Sequence, residues 1–169
     1  MTNAYYDSTY LFKLQCVEHG TEAVRAHAST VRSLHSAVHA RAEFVSACHR
    51  KIREGHGTHR QLKAMLDQFQ LDCHAGVITF LPLNDSVFER VESFYLSAPA
   101  NSPLRASDAL HLACAAEYGF KEVYSNDRHF LAALSNRVLE LTSEGIHQYG
   151  GGYTEYVART GHEAPGLRG

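Results

Sequence analysis

Apolar positions along the chain switch repeatedly between short continuous runs and helical spacing. Residues 4–7 read as a short buried strand, followed by a helix that Ser8 or Thr9 caps, with Leu11, Leu14 and Val17 on its inner face and Gly20 as its stop. A second helix over 21–32 presents Val24, Ala28 and Val31, and residues 33–36 form a brief strand. The next helix, about 38–54, aligns Ala42, Val45, Cys48 and Ile52 and sets Glu43 at the margin of that face. After Gly55-His56-Gly57, Thr58 opens a helix with Leu62, Met65, Phe69 and Cys73 on one side. Residues 77–81 are a β-branched apolar run closed by Pro82, as expected of a strand covered on both faces of a parallel sheet.

Asn84 or Asp85 caps a further helix carrying Val87, Val91 and Phe94, and the proline-containing stretch 97–103 breaks it. Ser107 then precedes a helix with Asp108 in its first turn and Gly119 as its stop. A strand at 122–125, a short helix at 130–134 and a last strand at 138–141 complete the alternation. Strand-helix alternation predicts an α/β protein: a mainly parallel sheet of about five strands flanked by helices. The periodic part spans 1–141; residues 142–169, with a glycine triplet at 150–152 and Pro165-Gly166, read as a flexible extension with one turn of helix near 153–158.

With 169 residues, the chain suits one domain. A formal charge of -2 excludes a basic whole-molecule field, so nucleic acid would be held by a local basic surface or through cations bridging acids to phosphate. The widely spaced Cys16, Cys48, Cys73 and Cys114 form neither a zinc knuckle nor a redox pair. No leader-like start or membrane-length apolar run is present, which gives a cytoplasmic expectation.

Four acids sit where apolar segments begin or end: Asp7, Glu43, Asp108 and Asp127. Any one alone is equally a helix-terminal acid or a turn residue. As a set, with Asp7 and Asp127 where strands give way to helices, they point to one carboxyl-end pocket. Clustered carboxylates must hold a proton or a cation, and an all-oxygen set selects Mg2+ or Mn2+. Such ions serve phosphodiester hydrolysis. The chain also has 12 histidines, and His35 with His39, or His56 with His59, have metal-ligand spacing, but no carboxylate or cysteine completes either pair in a recognised arrangement. His111 reads as a core or supporting residue, and Tyr5 and Tyr6 as core.

Four blocks occur in order: 7–14 (DSTYLFKL), 42–47 (AEFVSA), 107–113 (SDALHLA) and 125–130 (SNDRHF). Together they resemble a PIN domain, and more narrowly the VapC-type toxin nucleases, over roughly 4–141. The resemblance implies a Rossmann-like sheet and a magnesium- or manganese-dependent endoribonuclease. Asp7, Glu43, Asp108 and Asp127 would be the metal-site acids, with Ser8 and Ser125 in support and Asn126 beside a metal-associated water or shaping the turn. It also implies a homodimer and a small antitoxin partner. Lys13 and Arg128 are the basic residues nearest the acids and are RNA-contact candidates; Arg50 to Lys63 is a second basic group. A PIN-fold RNA-processing nuclease without an antitoxin, and a non-catalytic RNA-binding module, are the alternatives.

Overall fold

The computed structural model describes residues 2–98 and 100–127, and the backbone of two later strands at 137–142 and 145–150. Four strands, β1 (Asn3–Tyr6), β2 (Ser33–Ala37), β3 (Ile78–Leu81) and β4 (Val123–Tyr124), form a parallel sheet in the order β3-β2-β1-β4. The chain moves outward from β1 to β2 and β3 and then returns to the other side of β1, so the topological switch point lies between β1 and β4. Loops leaving those two strands form a crevice at the carboxyl ends.

The helices are α1 (Ser8–Gln15), α2 (Thr21–Thr30), α3 (Ala40–Arg53), α4 (His59–His74), α5 (Asp85–Ser97) and α6 (Ala106–Glu117). Alternation along β1 divides the core, because successive side chains of a strand point to opposite faces. Ala4 and Tyr6 join Leu11, Val24, Phe44 and Phe69 beneath α1 to α4, where the Phe44 and Phe69 rings stack at 4.1 Å. Tyr5 faces the other way, with Ala37, Val87, Ala113 and Cys114 beneath α5 and α6. The small Ala109, Ala113 and Ala115 leave little bulk on α6 where it packs on β2.

Several expectations are corrected. Asp7 itself is the N-cap of α1, its carboxylate accepting the N–H groups of Thr9 and Tyr10, in place of Ser8 or Thr9. α1 ends at Gln15, which leaves Val17 85% exposed. The buried stripe of α3 is Ala40, Phe44 and Cys48, and Val45 is exposed, because the helix is rotated relative to the phase its apolar residues imply. The parallel sheet has four strands: the expected fifth is β5 (Arg137–Thr142), which pairs antiparallel with β6 (Gly145–Gly150). The helical turns expected at 130–134 and 153–158 lie outside the described residues. The capping expectations at Thr58 and Asn84 hold, with a reciprocal Thr58–Gln61 capping box.

Candidate metal centre

The switch point gathers residues from the first and last strands of the sheet. Asp7 directly follows β1, and its backbone N–H donates to the Tyr124 carbonyl of β4 at 3.0 Å. Its Oδ1 accepts from the Thr9 N–H (3.0 Å), the Thr9 hydroxyl (2.6 Å) and the Tyr10 N–H (3.1 Å), while Oδ2 accepts from the Ser125 hydroxyl. The same two hydroxyls hold the loop after β4: Thr9 Oγ1 accepts the Asn126 N–H at 2.9 Å, and Ser125 Oγ accepts the Asp127 N–H at 3.0 Å. Two hydroxyls therefore clamp positions 7 and 125–127 into one unit. Burial pushes the Asp7 carboxyl above its ordinary value, against the neighbouring His111 and the bonds from Ser125, Thr9 and Tyr10.

Asp108 enters the same edge from the first turn of α6 and is 8% exposed. Its Oδ2 is buried and accepts no hydrogen bond. Burial raises its pKa first, and the nearby Asp127 and Asp7 raise it further. Arg105 opposes them: its Nε lies 3.8 Å from Asp108 and its NH2 3.4 Å from Asp127. Three like-charged groups around an orphaned buried oxygen form a donor set that suits a hard divalent cation, with the half-exposed Arg105 as partial counter-charge.

Glu43, in the first turn of α3, has a different neighbourhood. Oε1 accepts from the Ser107 hydroxyl, and Oε2 lies 2.8 Å from His111 Nε2 and 3.7 Å from His39 Nε2. Burial would push this carboxyl up, but the bonds from His111 and Ser107 and the adjacent His39 ring hold it down at about 2. His39 is lowered to about 4 by burial and by His111, with Glu43 and the Ser107 carbonyl opposing. Ser107 immediately precedes Asp108, so Glu43 is tied to the helix that carries the third acid.

Asp7, Asp108 and Asp127 are thus coupled electrostatically, and Glu43 is held through Ser107 to the helix that carries Asp108. A cleft of about 750 Å³ runs from Ser8, Thr9 and Asp127 past Glu43 to Arg50 and Lys51; Asp127 and Glu43 line it, while Asp7 and Asp108 are buried behind its wall. Ser8 lines it, but the hydroxyl bonded to Asp7 is that of Thr9. Lys13 is 4% exposed, with Nζ 3.1 Å from Glu18 and bonded to the His19 carbonyl at 2.5 Å, so its charge is already compensated. Arg128 lies outside the described residues. Nothing in the sequence marks Thr9 or Arg105 as a site residue, whereas His39 stands out there only beside His35, and His111 only as a core or supporting residue. The i,i+4 spacing of His39 and Glu43 is the local signal that joins His39 to this group.

Among curated proteins, none matches the chain by sequence. Among solved structures, the chain is similar to VapC20 of Mycobacterium tuberculosis, described as a Sarcin-Ricin loop cleaving toxin, with a TM-score of 0.58 and 17% identity over 77% of this chain and 94% of that one. The likeness is one of fold. The family profile of the PIN domain matches residues 4–134, a span that holds the four-stranded sheet except for Asn3, the six helices described and all four acids. On that match the chain belongs to the PIN domain family.

Proposed function

We propose that this protein is a metal-dependent endoribonuclease of the VapC toxin kind, cutting RNA phosphodiester bonds at the edge built by Asp7, Asp108, Asp127 and Glu43. The observation that carries this reading is the buried Oδ2 of Asp108, which accepts no hydrogen bond and whose carboxyl is pushed up by burial and by the nearby Asp127 and Asp7, at the switch point where ligands of α/β sheets gather. Asp7, Asp108 and Asp127 would hold Mg2+ or Mn2+, with Glu43 beside them. When bound, the cation supplies neutralisation of the scissile phosphate and acidification of an attacking water. Asp7 is kept in one orientation by four hydrogen bonds, so its geometry is set before substrate arrives. Asn126, held by Thr9, shapes the loop that presents Asp127.

An RNA substrate is supported by the fold shared with a toxin that cleaves the Sarcin-Ricin loop, and by Arg50 and Lys51 at the far end of the cleft. A small antitoxin protein that fills this cleft, a homodimeric assembly and a cytoplasmic setting belong to the same reading. Among the described residues no helix is long and apolar enough to cross a membrane.

The test is paired. Mn2+ should raise the thermal midpoint of the wild-type chain and support cleavage of structured RNA and growth arrest on expression; Asp7→Asn and Asp108→Asn should fold and lose all three. Metal stabilisation without RNA products would turn the reading to a binding module. Undiminished cleavage by both variants would remove the site.

A further inference from the structure

Beside the all-oxygen edge lies a group with different chemistry. His39 immediately precedes α3, Glu43 follows one turn later, and His111 reaches them from α6. One ligand atom from each falls within 4.8 Å of the others, the only such trio of acidic, histidine or cysteine groups among the described residues. Both histidines turn Nε2 toward the same carboxylate oxygen, at 2.8 Å for His111 and 3.7 Å for His39. The two rings lie 4.2 Å apart between centroids.

Hydrogen bonding accounts for only part of this arrangement. His111 is 2% exposed and is aimed from the core, with Nδ1 2.9 Å from the Tyr5 hydroxyl, which in turn accepts the Ala37 N–H at 3.1 Å. His39 turns Nε2 to the group, where it bonds the Ser107 carbonyl at 3.3 Å, a bond that an ion at Nε2 would replace; its Nδ1, on the other side of the ring, is buried without a hydrogen-bond partner. Two imidazole nitrogens and one carboxylate oxygen, leaving a fourth position open, are the ligand set of borderline ions such as zinc, whereas magnesium takes oxygen alone.

We propose that His39, Glu43 and His111 form a binding site for a zinc-class divalent transition-metal ion, one that shares Glu43 with the acidic edge and does not depend on whether that edge cleaves RNA. Ligand bonds of about 2.0–2.1 Å in a tetrahedron separate ligand atoms by roughly 3.3 Å. The observed 2.8 Å and 3.7 Å from Glu43 to the two rings bracket that value, and all three ligand atoms lie within 4.8 Å of one another, so the rings have to close on the ion by side-chain movement alone. When Nε2 of His111 takes the ion, the ring hydrogen resides on Nδ1. Tyr5 Oη accepts it there, and the hydroxyl hydrogen turns to the sulfur of Cys114, which Tyr5 also reaches. His39 is 17% exposed on its side chain and provides the entry side.

The probe is Co2+ added to the metal-free full-length chain. The expected result is one equivalent with the intense visible absorption of four-coordinate cobalt, whether or not the acidic edge takes up a second, and its displacement by Zn2+. His39→Ala, at the more accessible ligand, should weaken Co2+ binding by at least about tenfold. His111→Gln should do the same if it folds, and Asp108→Asn should leave the cobalt spectrum unchanged. A pale six-coordinate spectrum, full-affinity binding by His39→Ala, or loss of the spectrum in Asp108→Asn would overturn the site. The readout involves no RNA, so failure here and failure of the ribonuclease reading are separable: the first appears in the cobalt spectrum, the second in cleavage by the wild-type chain with Mg2+ or Mn2+.

Discussion

The NH2 of Arg105 lies 3.4 Å from Oδ1 of Asp127, and the same guanidinium lies 3.8 Å from Asp108 through Nε. A side chain of this protein thus sits against two of the acids assigned to the cation. Arg105 is half exposed, so each contact is weak, of the order of 1 kcal/mol or less. Arg105→Ala should tighten Mn2+ binding roughly threefold to tenfold, because the divalent ion no longer displaces a competitor. Calorimetric titration reads this directly. Weaker binding in the variant would show that the guanidinium orients the acids and does not compete with the metal.

Thr9 joins the two ends of the site by donating to Asp7 and accepting from Asn126. Thr9→Val keeps the shape and removes both bonds, leaving a buried carboxylate short of one donor. The expected loss is about 1–3 kcal/mol, with Thr9→Ser restoring most of it. Thermal unfolding of the three proteins is the check, and equal midpoints would mean the clamp rests on Ser125 alone.

The acids oppose one another in their response to pH. Asp7 and Asp108 have folded pKa values above those of the unfolded chain, so their contribution to stability is fully present below the unfolded value and is lost as pH rises through the folded one. Glu43 is depressed to about 2, so its contribution is present above its unfolded value and lost as pH falls toward 2. Metal-free Asp108→Asn should therefore be more stable than wild type at neutral pH and lose that advantage by about pH 3, below the unfolded Asp value. Glu43→Gln should show its deficit at neutral pH and converge with wild type in strong acid. Denaturant titrations across pH 2 to about 7 separate the two patterns.

Basic residues along the cleft should divide by burial. Lys13, enclosed with Glu18, should matter for folding: Lys13→Met leaves Glu18 with Lys51 alone, takes the donor from the His19 carbonyl and lowers the thermal midpoint. Arg50 is exposed, and Arg50→Ala should leave the midpoint unchanged while reducing the salt dependence of RNA binding by about one charge. Binding isotherms at several salt concentrations with melting curves resolve the pair.

Much of this architecture is written in local pattern. The run ending at Pro82 and the helix that carries Asp108 in its first turn report their elements because burial and helix periodicity act on neighbours in sequence. The acids at positions 7 and 127 were legible for the same reason: each stands where a strand ends, and strand ends define the crevice. Pairings across the chain were not. That Thr9 and not Ser8 bonds Asp7 depends on the phase of one short helix. The meeting of Glu43 with His111 spans 68 positions and follows from α6 lying close on the sheet through its alanines. The strand at Arg137–Thr142 has the composition of a sheet strand, but its partner, β6, is fixed by topology, which periodicity does not record. Lys13 carries the charge of a surface residue and lies inside because Glu18 and the His19 carbonyl receive it.

The clamp between Asp7 and Ser125 also has a temporal meaning. No fragment released or stalled before about residue 127 contains both halves of the acidic edge, since β4 and the loop after it are among the last parts of the sheet to leave the ribosome. A growing polypeptide therefore cannot close that edge until translation of the sheet is nearly finished, so its assembly is a late event in synthesis.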